Sequence, residues 1–329
     1  MIKAFVFGKF LPFHKGHEAM IRFALTQCHY LSVLICCSDK EAIPCEGRKS
    51  WIEKTFEKEN RLEVITYEYK EDELPNTSVT SEAVSAIWAN VFKELFPQHS
   101  RLITSEPYGA LVASFMHVEH IPFDIDKELV PVSATAIRND LFAYWHYLPD
   151  SVKPFYAVKV VLLGTESTGK TTLTQKLADY FKCSAVTEAA RDIVDDSKDF
   201  AFEDLYTIAH EHAERINEAV AGNSPLIIID TDIHITKSYA QFVFKKQLPV
   251  SENIMLTNKA NLYLYLNNDV EYIQDGTRLN EDDRNALDQH HRKILRDHNI
   301  SIMEISGDWE QRFTTAVQYI SDNIKKKPI

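Results

Sequence analysis

Glycine is scarce in this chain, nine residues in 329, against an average usage of roughly 7%. A sequence so sparing with glycine places it mainly where backbone geometry demands it. Four of the nine fall in two short segments, Gly8 and Gly16 near the start and Gly164 and Gly169 at mid-chain. Each pair follows an apolar strand pattern and precedes an amphipathic helix pattern. Long apolar runs are missing too: stretches such as Leu31–Ser38 and Ala157–Gly164 fall well short of the roughly 18 residues of a membrane span. No membrane partner is therefore expected. The five cysteines include no CxxC pair, which argues against a zinc ribbon or a thioredoxin-type site. Their odd number, with Cys36 and Cys37 inside an apolar strand-like run, predicts reduced, buried thiols and a cytoplasmic location. Met1-Ile2-Lys3 runs straight into Ala4–Phe7, too short an apolar core for a secretory signal and with no small-residue cleavage site. Positive charge is in deficit, 36 Lys and Arg against 48 Asp and Glu, a net charge of −12. That excludes a protein that coats nucleic acid through a basic surface. It leaves nucleotide enzymes open, because a few focused donors suffice to bind phosphates.

What is present is alternation. Strand patterns at 4–7, 31–37, 62–66, 101–104 and 120–123 are interleaved with helix patterns at 18–28, 48–58, 79–96 and 134–141. After Leu148–Pro154, which has two prolines and no periodicity and reads as a linker, the rhythm resumes. Strands at 157–163, 184–187, 226–230, 261–266 and 301–304 alternate with helices at 170–181, 202–221, 282–299 and 309–325. The prediction is an α/β protein of two tandem domains, 1–150 and 155–329, each built on a mainly parallel sheet. Neither repeats nor low-complexity tracts interrupt it.

Gly8-Lys9-Phe10-Leu11-Pro12-Phe13-His14-Lys15-Gly16-His17 lies between the first strand and the first helix. A helix N-terminus offers unpaired N–H groups and a positive dipole end to an anion, and Gly16 allows close approach. His14 and His17 add two imidazoles and Lys9 a charge. A bare HxxH fits metal ligation or coincidence as well; the ten-residue string is far more specific. It resembles the signature of the Rossmann-like HxGH nucleotidyltransferases, which transfer a nucleotide from ATP to a phosphate or similar acceptor. Val132-Ser133-Ala134-Thr135-Ala136-Ile137-Arg138 is similar to that family's second signature, ISxTxxR. The resemblance implies catalytic roles for His14, His17 and Arg138, and ATP contacts for Gly8, Lys9, Phe10, Ser133 and Thr135. Ser133 or Thr135 can cap a helix. Arg48 stands where the nicotinamide-mononucleotide (NMN) adenylyltransferases carry an arginine, which implies acceptor phosphate; a solvated helix-start arginine is the plain alternative.

Gly164-Thr165-Glu166-Ser167-Thr168-Gly169-Lys170-Thr171 fits GxxxxGK[ST] between a strand and a helix, the context a P-loop requires. Its N–H groups cradle phosphates, Lys170 reaches the β- and γ-phosphates, and Thr171 ligates Mg2+. Gly164, Glu166, Ser167, Thr168, Gly169, Thr171 and Thr172 are the expected ATP-binding residues. Asp230, at the end of Leu226–Asp230, is expected at the magnesium and phosphates, with Asp232 near the acceptor. Glu188 and Arg191 could bind the acceptor's ribose and phosphates, or form an i,i+3 pair on a helix face. Arg278 and Arg284 flank a polar stretch read as a lid over ATP, with Arg278 on the nucleotide. His210 and His212, one residue apart on a helix, are expected to diverge and receive no role. His290 and His291 are set aside likewise.

An HxGH transferase followed by a P-loop kinase resembles the NadR-like bifunctional family of NMN adenylyltransferase and ribosylnicotinamide kinase. The likeness covers essentially the whole chain and includes Phe142–Pro149, Asp230-Thr231-Asp232 and Asp275-Gly276-Thr277-Arg278. It implies that the second domain phosphorylates nicotinamide riboside to NMN and the first converts NMN and ATP to NAD and pyrophosphate. Some members begin with a helix-turn-helix domain. Here the first strand starts at Ile2, so no DNA partner is expected. Thr187 replaces an aromatic residue that other members carry before the kinase-site glutamate, a departure that bears on riboside affinity. A different HxGH enzyme, for pantetheine phosphate or flavin mononucleotide, or a nucleotide sensor without turnover, are the alternatives. A homo-oligomer is compatible with the sequence and not specified by it.

Overall fold

The computed structural model describes residues 1–76, 81–193, 201–269 and 280–324. The chain forms two compact units, Met1–Phe155 and Tyr156–Ile329. In the first, β1 (Lys3–Gly8), α1 (Lys15–Thr26), β2 (Tyr30–Ser38), α2 (Cys45–Thr55), β3 (Leu62–Tyr69) and α3 (Glu82–Leu95) are followed by β4 (Arg101–Thr104), α4 (Gly109–Met116) and β5 (Glu119–Pro122). Then come α5 (Ala134–Asn139), α6 (Leu141–Tyr144), a 3-10 turn at Trp145–Tyr147 and α7 (Lys153–Tyr156). The sheet order is β3-β2-β1-β4-β5, with every pairing parallel. Central strands of such a sheet are covered on both faces, hence the apolar runs: Leu31 through Ser38 is buried throughout. Phe5, Phe7 and Leu34 pack against Trp88, Phe92 and Phe96 of the α3 region, each fully buried side chain worth about 1.5–3 kcal/mol.

The second unit runs β6 (Val158–Leu163), α8 (Lys170–Phe181), β7 (Ser184–Val186), α9 (Ala190–Ile193), α10 (Asp204–Ala221), β8 (Leu226–Asp230) and α11 (Ile233–Phe244). It ends with α12 (Glu252–Asn258), β9 (Leu262–Leu266), α13 (Glu281–Asp297), β10 (Met303–Ile305) and α14 (Trp309–Ile324). Its sheet, ordered β10-β9-β6-β8-β7, is again parallel. Leu162, Ile228 and Leu264 meet Leu173, Leu177, Ala316 and Ile320 across the sheet face. No described helix is long and apolar enough to cross a membrane.

Three readings need correction. Leu148–Pro154 is a packed part of the first unit and not a free linker. Leu148 and Val152 are fully buried, and Ser151 Oγ and Thr55 Oγ1 share a hydrogen bond of 2.7 Å. The apolar pair four residues apart anchors a segment whose prolines mark turns. The thiols are not all reduced: Cys37, near the end of β2, and Cys45, opening α2, are joined, with Cα atoms 5.8 Å apart. The short β2–α2 loop brings them together, a closeness that their spacing of eight does not announce. Finally α4, α11 and α12 have no counterpart in the sequence reading. Tyr108 supplies no side-chain cap to α4, which removes the usual start signal.

Candidate active sites

In open parallel sheets, ligands bind outside the carboxyl ends of the strands. Both glycine-bearing loops sit there, at the end of the central strand of each sheet. In the first unit His14 is the N-cap of α1: its Nδ1 accepts from Gly16 N at 3.1 Å and His17 N at 3.4 Å. Two first-turn amides of α1 are therefore bonded to an imidazole and are not left open. An acceptor at Nδ1 assigns the neutral ring's proton to Nε2, which makes Nε2–H the donor available to an anion. A Cβ at residue 16 would lie 3.0 Å from the His14 ring, so glycine there keeps the cap undistorted.

His14 and His17 stack with centroids 3.7 Å apart, and Phe10 and Phe13 lie on the other sides of His17. Burial, then the Lys127 charge, pushes His14 down to about 3. His17 is likewise held well below the usual histidine range, by burial first and then by His14 and Lys127. Both shifts favour the neutral ring, and His17 Nδ1 has no hydrogen-bond partner among the described residues. Two stacked imidazoles near a lysine form a site in which an anion would relieve what burial imposes.

Ser133 caps α5, accepting from Ala136 N at 3.1 Å. Arg138 donates to Leu11 O and to Thr135 Oγ1 at 3.1 Å, which ties the second signature to the first loop. Gly8 closes β1, and Phe10 turns back over it with φ of 50°. Lys9 pairs with Glu41 at 3.0 Å. Arg48 is 1% exposed, pairs with Glu41 at 2.7 Å and donates to Lys9 O at 3.0 Å. Its guanidinium thus braces the loop, and the solvated helix-start alternative is not what the structure shows. Glu41, which joins the two cations, is a site residue the sequence reading missed; an acidic residue in a polar loop carries no signal.

In the second unit three buried cations hold P-loop carbonyls. Lys170 Nζ donates to Thr165 O at 3.0 Å, Arg284 Nε to Glu166 O at 3.1 Å and Arg312 Nη1 to Thr168 O at 3.1 Å. Gly164 (φ +142°) and Gly169 (φ +84°) supply backbone angles that side chains resist. Thr171 Oγ1 donates to Asp230 Oδ2 at 2.5 Å. Asp230 is fully buried, and its Oδ1 has no partner among the described residues, nor do the hydroxyls of Thr165, Ser167 and Thr231. Thr172 is exposed on the first turn of α8. An unpaired buried carboxylate oxygen beside a threonine hydroxyl fits a magnesium ion held mostly by phosphates and water. Among the described residues no group of three or more His, Cys, Asp or Glu could hold a metal by itself.

Asp232, expected near the acceptor, has its carboxylate engaged within the fold. It is fully buried and caps α11, accepting from His234 N at 3.0 Å and Ile235 N at 3.2 Å, and from His234 Nδ1 at 2.6 Å. His212, given no role from sequence, lies against the acidic strand end with Nε2 3.2 Å from Thr231 O. Its Nδ1 lacks a partner among the described residues, and burial above all lowers its pKa. Glu188 is half-buried between β7 and α9. Arg191 stands in α9, its side chain outside the described part, and Arg278 lies outside the described residues. Arg284, on α13, is buried and bonded to the P-loop at Glu166 O.

Residues 159–312 match the family described as AAA domain. The chain is 28% identical to the trifunctional NAD biosynthesis/regulator protein NadR of Salmonella typhimurium, over 96% of this chain and 82% of that protein. It is 27% identical to the NadR of Escherichia coli over the same shares. The crystal structure of a NadR protein in complex with NR superposes with a TM-score of 0.67 at 19% identity, covering 99% of this chain and 97% of that one. A second, in complex with NAD and AMP-PNP, gives 0.66 at 20% over the same coverage. The likeness to NadR implied by the motifs therefore extends over nearly the full length, and the two-unit α/β fold is shared.

Proposed function

We propose that the chain is a bifunctional enzyme of NAD synthesis. The second unit phosphorylates nicotinamide riboside with ATP, and the first joins the resulting NMN to the adenylyl group of a second ATP. The observation that carries this reading is that each unit holds a complete anion site of its own: paired neutral imidazoles with Arg138 in one, a P-loop with Asp230 in the other. The near full-length likeness to NadR proteins, whose structures are described with NR, NAD and AMP-PNP, supplies the substrates.

In the first unit the NMN phosphate attacks the α-phosphorus of ATP in line and pyrophosphate leaves. His14 Nε2–H, His17 and Arg138 donate to phosphate oxygens as charge shifts onto the leaving group, without covalent catalysis. Gly8, Lys9, Phe10, Ser133 and Thr135 line this nucleotide site. In the second unit the riboside 5′-hydroxyl attacks the γ-phosphorus. Lys170 and the P-loop amides hold the phosphates, and Glu188 borders the acceptor. Thr171 and Asp230 would hold Mg2+, which supplies charge neutralisation on the phosphates. Because both steps consume ATP, the reading carries a cytoplasmic location. The test is incubation of purified protein with nicotinamide riboside, ATP and magnesium, followed by product analysis. NMN and then NAD are expected, with pyrophosphate equal to NAD. Efficient adenylylation of another acceptor with neither product would overturn the reading.

A further inference from the structure

Of the four tryptophans, Trp51, Trp88 and Trp145 are 4%, 2% and 1% exposed, whereas Trp309 is 47% exposed. Nothing about fold stability calls for an open indole at that position. Its place is specific: a Cβ at Gly169 would lie 2.1 Å from Trp309 Cη2 and 2.3 Å from Cζ3. The six-membered ring therefore lies directly over the P-loop glycine, and only glycine there admits it.

The mounting is rigid. Gly307 turns the chain after β10 with φ of +93°. Asp308 Oδ1 accepts from Glu310 N at 3.0 Å and Gln311 N at 2.9 Å. One turn on, Arg312 is fully buried and donates to Gly307 O at 2.8 Å, Thr168 O at 3.1 Å and Asn267 O at 3.0 Å, and to Asp269. The guanidinium thus bolts the first turn of α14 to the P-loop and to the end of β9. An exposed aromatic face held this firmly is pre-organised for a flat partner.

The sheet order says which partner. In β10-β9-β6-β8-β7 the P-loop follows the central β6. Asp230 ends β8 and Glu188 follows β7, so on the kinase reading the phosphoryl acceptor lies on that side. The nucleoside end of the donor must then extend to the opposite side, toward β9 and β10, where Trp309 stands. We infer that Trp309 is the base platform of the kinase site, its indole stacking on the adenine of ATP. This rests on the kinase reading of the second unit. Stacking on an aromatic is tolerant of base identity, so the platform selects for a base and not for adenine alone.

The experiment uses the full chain with Trp309→Ala and Trp309→Phe. For riboside phosphorylation, Trp309→Ala should raise KM for ATP about ten-fold, with the loss in KM and not in kcat, and Trp309→Phe should recover most of it. NAD formation from NMN should be unchanged in both. As a second readout, ATP should quench tryptophan emission in the wild type and not in Trp309→Phe, while inorganic tripolyphosphate should quench neither. Binding of tripolyphosphate should be equal in the wild type and Trp309→Ala. An unchanged KM for ATP in Trp309→Ala would overturn the inference, and so would tripolyphosphate binding weakened as much as ATP binding, since the ring would then merely support the P-loop. If the wild type phosphorylates no riboside but ATP still quenches Trp309, the kinase reading fails and the base platform stands.

Discussion

His14 commits its Nδ1 to the first amides of α1 and keeps its Nε2–H for a ligand, so its neutral form is structural as well as functional. That has a pH consequence whose sign is fixed. The folded-state pKa of about 3 lies below the ordinary histidine value of about 6.5, so the unfolded chain takes up a proton that the folded chain refuses. Stability is full above about pH 6.5 and declines as pH falls toward 3. At pH 5 His14 alone removes about 2 kcal/mol. Denaturant unfolding followed through the buried tryptophans of the first unit should therefore show a shallower pH 7.5 to pH 5 decline in His14→Gln than in the wild type. Equal declines would mean that the ring is not held neutral. The lowered pKa of His17 acts in the same direction, and two stacked rings cannot both accept protons cheaply.

At the scale of elements, α11 shows how one side chain can be read two ways. Asp230-Thr231-Asp232 suggests paired acids around a phosphate, yet the two carboxylates part company. Asp230 ends β8 and faces the P-loop threonine, whereas Asp232 is turned away to cap the next helix. The turn is made at Thr231, whose φ is +74°. Asp232→Asn keeps an acceptor for the cap and should cost little. Asp232→Ala should cost about 1–2 kcal/mol of stability, read by denaturant titration of the second unit. Equal stabilities for the two variants would remove the cap as the residue's role. Arg48 and Glu41 make the same point in the first unit: an arginine expected at acceptor phosphate is buried against a loop acid, bracing the segment that carries Lys9.

For the whole molecule, the two sites fall in different compact units: His14, His17 and Arg138 before Phe155, and Lys170, Thr171 and Asp230 after Tyr156. Removing a pre-organised charge stabiliser typically costs ~10²–10³ in rate. His17→Ala should cripple NAD formation from NMN and leave riboside phosphorylation near wild type, and Lys170→Ala should do the reverse. Each half-reaction is to be assayed separately, with circular dichroism to confirm folding. Loss of both activities from either change in a folded protein would mean interdependent sites.

The sequence by itself determined the alternation of strands and helices and the two phosphate loops, because these are local properties. Hydrophobic period, a strand running into a glycine and a helix running out of it all lie within about twenty residues. Leu226–Asp230 and Lys170–Phe181 were legible to the residue. What only the tertiary structure decided is which polar groups meet. Arg138 reaches Leu11 and Arg312 reaches Thr168 across more than a hundred residues, Glu41 pairs with both Lys9 and Arg48, and His212 turns to Thr231. A buried polar side chain must find a partner, but the partner is chosen by the packing of distant segments, and a linear pattern carries no record of that choice. Trp309 belongs here too: its exposure beside Gly169 depends on how α14 is bolted down, and in sequence it reads only as the start of a helix.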